Sequence, residues 1–165
     1  MGERRYRAVR GWFLARPAAL WALRAANRLL PALVCLAYLG LLGCLALGRD
    51  ARLWRAMAVP AAAFALGSAL RAALNRPRPY EVYGLEPLIN KQTKGRSFPS
   101  RHLLSAAVIA AACRWASPPL GLAMALATAL LAPARVLAGV HFVRDVAAGA
   151  ALGAAFGWVG FWALG

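Results

Sequence analysis

The chain has 165 residues, with two histidines and five carboxylates against 20 Lys and Arg. One of each scarce type falls in Arg135-Val-Leu-Ala-Gly-Val-His141-Phe-Val-Arg-Asp145. His141 and Asp145 are four apart, a spacing that puts two side chains on one face of a helical turn. A carboxylate there can accept the Nδ1 hydrogen bond, fix the imidazole tautomer and stabilise its cation. Arg135, six residues earlier, offers a planar fork to a phosphate. An oriented imidazole beside a guanidinium suits attack on phosphorus. The same residues would also serve a solvated loop holding an ordinary salt bridge.

Two further clusters carry related chemistry. Arg71 to Arg78-Pro79 is rich in arginine, and Phe98-Pro99-Ser100-Arg101-His102 brings the second histidine. Each member has a plainer use. Arg71 could snorkel at a helix end, Arg78 could punctuate a proline-rich loop, Ser100 could be a helix N-cap and His102 an interfacial histidine. What separates the uses is whether the clusters meet.

The elements that would position them are apolar helices. The chain is 62% hydrophobic and 15% charged, which points to an integral membrane protein, all-α, built as a helical bundle. Residues 1–30 are basic and aromatic, with no apolar run long enough to span; they are expected to form one or two amphipathic interfacial helices. Five transmembrane helices are expected: Pro31–Gly48, Leu53–Leu74, Ser100 to about Ser117, Pro118 to about Ala132 before Pro133, and Val146–Gly165. Residues 75–99, broken by Pro77, Pro79, Pro87, Gly84, Gly95 and Pro99, read as a functional loop. The whole, 1–165, is expected to be one membrane-embedded domain with active-site loops 71–102 and 134–145. Gly149, Gly153, Gly157 and Gly160 suit close helix packing in lipid. Cys35, Cys44 and Cys113 read as small buried apolar residues with no disulfide or zinc role.

A helix hairpin returns the chain to the side it left. The end of the second span, the start of the third and the loop between the last two therefore share one membrane face. The clusters can converge, and the convergent site is phosphate chemistry. His141 would attack phosphorus to give a phosphohistidine. His102 would protonate the departing oxygen and later activate water. Arg71, Arg78, Arg135 and the Ser100 helix N-terminus would hold the phosphate oxygens. No metal or cofactor is expected, because the guanidiniums supply the positive charge and the carboxylates do not resemble a two-metal site.

The three clusters resemble the signature of the type 2 phosphatidic acid phosphatase family: K-x6-R-P, P-S-G-H and S-R-x5-H-x3-D. Here Arg71-x6-Arg78-Pro79 has Arg for Lys, Pro99-Ser100-Arg101-His102 has Arg for Gly, and Ala134-Arg135-x5-His141-x3-Asp145 has Ala for Ser. Order and spacing are kept, from about Leu53 to the C-terminus. The resemblance implies an all-α membrane bundle. It gives His141 as nucleophile, Asp145 as its orienting partner and His102 as general acid, with Arg71, Arg78, Ser100 and Arg135 on the phosphate. Phosphatidic acid, phosphatidylglycerol phosphate and polyprenyl mono- or diphosphates are the implied substrates. Arg101, in the glycine's place, could engage a second phosphate, or could point to the loop or a lipid headgroup. The signature also occurs in vanadium-dependent haloperoxidases, but those are in general larger soluble proteins.

Net charge is +15. Without a soluble domain to read nucleic acid, the natural partners are a lipid phosphate substrate and anionic lipid headgroups. Arg4, Arg5, Arg7, Arg10, Arg16, Arg24 and Arg28 share the expected site face, so the positive-inside rule favours a cytoplasmic-facing site in a bacterial inner membrane. The rival from another class is a non-catalytic membrane protein that binds anionic lipid or scaffolds a partner. It would need the arginines but neither His141 nor Asp145.

Overall fold

The structure, a computed structural model, describes residues 2–163. Among them every regular element is helical: α1 Glu3–Leu14, α2 Pro17–Leu47, α3 Arg52–Leu74, α4 Pro79–Tyr83, α5 Arg101–Ala116, α6 Pro118–Leu137, α7 Val143–Trp158 and a π-helical turn Val159–Ala163. Successive long helices run antiparallel. The tight connections 48–51 and Ser117 lie at one end of the bundle; loop 75–100 and turn 138–142 lie at the other, with α1.

The outer faces of α2, α3 and α6 expose large apolar side chains. Leu122, Leu126 and Leu130 recur every four residues along α6, and Leu29, Leu33 and Leu36 stand exposed on α2. A contiguous apolar surface of this kind fits hydrocarbon rather than water. Four stretches are long and apolar enough to cross a bilayer: Pro17–Leu47, Arg52–Tyr83 (whose continuous helix is α3), Pro118–Leu137 and Val143–Ala163. This corrects the expected five. At 16 residues, α5 is about 24 Å long against a hydrocarbon core of about 30 Å. It packs at the centre of the bundle against α2, α3, α6 and α7, burying Leu103, Leu104, Ala106, Val108, Ala112 and Cys113.

Two expected breaks are absent. The sequence reading starts a span at Pro31, yet α2 is one 31-residue helix with Pro31 inside it. The second interfacial helix is therefore the N-terminal part of that span. Likewise α6 runs through Pro133 to Leu137, so Arg135 sits on its last turn and not in a loop. A proline inside a helix removes the N–H that would pair with the carbonyl four residues back. In lipid that carbonyl must find another donor. Pro31 frees the carbonyl of Asn27, which accepts from Arg135 Nη2 at 3.4 Å. Pro60 frees the carbonyl of Ala56, which accepts from Tyr38 Oη at 2.9 Å. Each replacement donor comes from a different helix, so the prolines become points of interhelical attachment.

The last helix begins at Val143, three residues earlier than expected, and residues 164 and 165 of the expected span lie outside the described residues. Its glycines press on α5 within the same chain. A Cβ at Gly149 would lie 2.4 Å from the Ser100 carbonyl oxygen, and one at Gly153 2.3 Å from that of Leu104. Cys113 is buried as expected, whereas Cys35 and Cys44 are exposed on α2.

Candidate active site

Three elements deliver the charged groups. Arg71 is on the last turn of α3, which ends at Asn75 in a left-handed conformation (φ 37°). That turn throws the chain into loop 75–100. Pro79 then starts α4 with its fixed φ, and Glu81 accepts from the backbone N–H groups of Arg78 (2.8 Å) and Gly95 (2.9 Å). The carboxylate thereby pins both limbs of the loop around Arg78. Tyr80 Oη adds a hydrogen bond to the Thr93 carbonyl. Arg78 donates to the carbonyls of Gly95 (3.0 Å) and Val140 (3.1 Å). It thus ties the loop to the turn that carries His141.

The start of α5 is fixed against α7. Ser100 N–H donates to the Asp145 carbonyl at 2.8 Å, and Gly149 permits the close approach. Ser100 occupies the N-cap position, as expected, but its side chain makes no capping bond. Its hydroxyl is fully buried with no hydrogen-bond partner.

His141 lies in the turn between α6 and α7. Gly139 makes that turn at φ 76°, and a Cβ there would collide with the Tyr6 side chain. Helix α1 therefore packs directly beneath the histidine's turn through Tyr6, which is buried. His141 Nδ1 lies 3.7 Å from Asp145 Oδ2, longer than a hydrogen bond. Asp145 Oδ2 accepts from Ser97 Oγ at 2.5 Å and from the Phe142 N–H at 2.9 Å. Asp145 thus caps its own helix while facing the imidazole. Burial lowers the His141 pKa; Asp145 pulls it back up, and Arg78 and Arg71 push it down again. The ring is consequently biased to its neutral form, the form a nucleophile needs.

Arg71, Arg78 and Arg135 are 8%, 4% and 6% exposed, and Asp145 is 1% exposed. Among the described residues, three buried guanidiniums stand against one buried carboxylate. Burying cations costs several kcal/mol each unless they are paired. Part of this is offset by carbonyls: Pro99 accepts from Arg71 Nη1 at 2.7 Å. Arg135 Nε is buried with no partner. An anion held by buried cationic donors is the ligand this arrangement fits.

The sequence-predicted residues Arg71, Arg78, Ser100, His102, Arg135, His141 and Asp145 all lie at this one end of the bundle. His102 and Arg135 line a cavity of about 850 Å³. Arg71 and Arg78 line a second, of about 520 Å³. Lys91 lines both. Arg101 differs from the other arginines. It is exposed, and its guanidinium lies over the Phe64 ring at 5.3 Å on the rim of the smaller cavity.

Sequence reasoning missed two residues. Ser97 is fully buried on Asp145, and nothing in its spacing marks it. Asn27 is 7% exposed. Its amide donates to the carbonyls of Leu23 (3.0 Å) and Ala134 (2.9 Å), while its own backbone carbonyl takes Arg135. A signal was present there: a lone amide four residues before a proline, inside an apolar helix.

A family model described as the PAP2 superfamily matches residues 52–165. Among solved structures, LpxE from Aquifex aeolicus is 27% identical with a TM-score of 0.63, covering 86% of this chain and 93% of that one. The first transmembrane PAP2-type phosphatidylglycerolphosphate phosphatase from Bacillus subtilis is 23% identical with a TM-score of 0.56, covering 94% and 93%, and supports the fold alone. No curated protein matches by sequence. The family-model match excludes α1 and α2, and so excludes Tyr6 and Asn27.

Proposed function

The chain belongs to the PAP2 superfamily, and we propose on that premise that it is a membrane lipid phosphatase, cleaving a phosphate monoester or diphosphate on a lipid. The observation that carries this reading is the buried excess of guanidinium charge around His141 and Asp145. A lipid-binding scaffold has use for the cations; it has none for an imidazole held over a carboxylate that Ser97 and the Phe142 amide in turn orient.

With Nδ1 turned to Asp145, Nε2 of His141 is the nitrogen that attacks phosphorus. The N–P bond forms as the P–O bond to the lipid breaks, and His102 gives its proton to the departing oxygen. Arg71, Arg78, Arg135 and the Ser100 hydroxyl hold the remaining phosphoryl oxygens as charge develops. Water, its proton taken by His102, then attacks phosphorus and restores His141. The guanidiniums supply the positive charge, so the reaction proceeds without a metal. His102 also lines an apolar groove of about 250 Å³ with Val34, Phe64, Ala106, Ile109 and Leu131. A departing oxygen at His102 is therefore next to a path for an apolar tail, which favours a lipid over a soluble phosphate ester.

The reading extends to one membrane-embedded domain, 1–165, in a bacterial cytoplasmic membrane. Helix α1 with its arginines lies at the site end, which by the positive-inside rule favours a cytoplasmic site; digestion of an N-terminal tag by protease added outside spheroplasts would reverse that assignment. The central test is phosphate release by detergent-purified protein in chelator. Phosphatidic acid, phosphatidylglycerol phosphate and polyprenyl mono- and diphosphate are the substrates, with His141→Ala as control. Release that survives chelator and disappears in the variant is expected. No release from a folded protein that still binds anionic lipid would favour the scaffold instead.

A further inference from the structure

The two cavities at the site differ in what they hold. The smaller contains Arg71 and Arg78, two of the three guanidiniums assigned above to the transferred phosphoryl group. The larger contains His102, the proton donor to the departing oxygen; His102 also borders the apolar groove, so a leaving group there meets both. Its wall is cationic: Arg24, Arg28, Lys91 and Arg135 stand against Glu86 as the one carboxylate. Arg24 and Arg28 are one helical turn apart on α2 and share a face. Arg24 is held in place, its Nε donating to the Leu88 carbonyl at 2.9 Å. Two buried polar atoms of residues lining this cavity, Arg135 Nε and Asn27 Oδ1, have no hydrogen-bond partner. Lys91 lines both cavities and so joins them.

A bare alkyl or prenyl alcohol as leaving group would bring no negative charge to these cations, whereas a second phosphoryl group would. We infer that Arg24, Arg28 and Lys91 form a subsite for a second phosphoryl group, carried on the leaving-group side of the substrate. This rests on the phosphatase reading above and narrows its substrate class. In a lipid diphosphate the bond between the terminal phosphorus and the bridging oxygen breaks. His102 protonates that bridging oxygen, and a lipid monophosphate leaves under the three cations. A lipid whose headgroup carries a phosphodiester a few atoms from the scissile phosphate presents the same chemistry. Arg101, the residue whose position in the sequence first suggested a second-phosphate contact, does not line this larger cavity.

The test is a ratio. kcat/KM is measured for polyprenyl diphosphate against polyprenyl monophosphate, and for phosphatidylglycerol phosphate against phosphatidic acid, in wild type, Arg28→Ala and Lys91→Ala. One charge-assisted contact corresponds to roughly tenfold or more, so at least one ratio should exceed one in wild type and fall by that factor in both variants. The pair that responds tells diphosphate from phosphodiester. Ratios that do not fall in either pair overturn the subsite. If a variant does not fold, inhibition of the wild type decides: methylene diphosphonate should inhibit at least tenfold more tightly than inorganic phosphate, by the same charge-assisted contact, and equal inhibition overturns the inference. Wild-type turnover of polyprenyl monophosphate and phosphatidic acid alone also removes the subsite but leaves the phosphatase reading standing. Turnover of none of the four removes both.

Discussion

The backbone carbonyl of Asn27 accepts a hydrogen bond from Arg135 Nη2 at 3.4 Å, and it can do so because Pro31 has no N–H to claim it. Replacing Pro31 with Ala restores that N–H and sets it in competition with the guanidinium. The substitution removes a helix-interior proline, whose presence costs about 3 kcal/mol in a regular helix, so thermal stability in detergent should hold or rise. Arg135 is meanwhile released, and KM for the lipid phosphate should rise about threefold to tenfold. Stability and affinity thus move in opposite directions. An unchanged KM would show that the Asn27 carbonyl does not position Arg135.

Gly149 is where α7 meets the start of α5. Its replacement by Ala puts a carbon 2.4 Å from the Ser100 carbonyl oxygen, and backbone must move. Overpacking of this kind costs about 1–3 kcal/mol. The melting temperature should drop, and phosphate release should drop further than stability alone explains, because Ser100 is displaced. A Cβ at Gly43 on α2 would meet nothing within 4 Å, so Gly43→Ala serves as the silent comparison. Equal behaviour of the two variants would refute the close-packing account.

Ser97 donates to Asp145 Oδ2 at 2.5 Å, the oxygen that also faces His141. Without the hydroxyl, Asp145 keeps only the Phe142 N–H on that oxygen and can turn from the imidazole. Ser97→Ala should lower kcat about tenfold with KM little changed. A kcat within about twofold of wild type, less than one hydrogen bond is worth, would remove Ser97 from the orienting chain.

The pH profile carries a sign. Nucleophilic His141 acts when neutral, that is, above its pKa, and burial lowers that pKa. The acid limb of kcat/KM, corrected for the substrate's own titration, should therefore fall below the ordinary imidazole value of about 6.5. Asp145 raises the His141 pKa, so Asp145→Asn should move the limb further down as it lowers kcat. An acid limb above about 6.5 in wild type, or an upward shift in the variant, would contradict the assignment.

Most of the charged candidate site was legible because histidine and aspartate are scarce in this sequence, two of each, so the arginines that stand at fixed spacing from them carry information. Arg71, Arg78, Arg135 and Asp145 are buried at one end of the bundle, as the hairpin topology requires. Prolines were the main source of misreading. Pro31 and Pro133 look like helix ends from local preference, which assumes a lost hydrogen bond goes unanswered. At Pro31 it is answered by Arg135, far along the chain on another helix, and no local window contains that fact. Ser97 was invisible for a similar reason. Its partner is 48 positions distant, and serine is ordinary in a loop.

The attachment between α2 and α6 also bears on how the chain is made. Synthesis runs from the N-terminus, so α2 meets the bilayer early, with an amide whose partner on Ala134 lies 107 residues downstream. Its Pro31-freed carbonyl likewise waits for a guanidinium 108 residues away. Arg24 waits for Leu88, 64 residues on. A buried polar group without its partner costs about 1–3 kcal/mol, so this part of α2 is incompletely satisfied on its own. Its polar contacts are complete only once α6 supplies both the carbonyl and the charge.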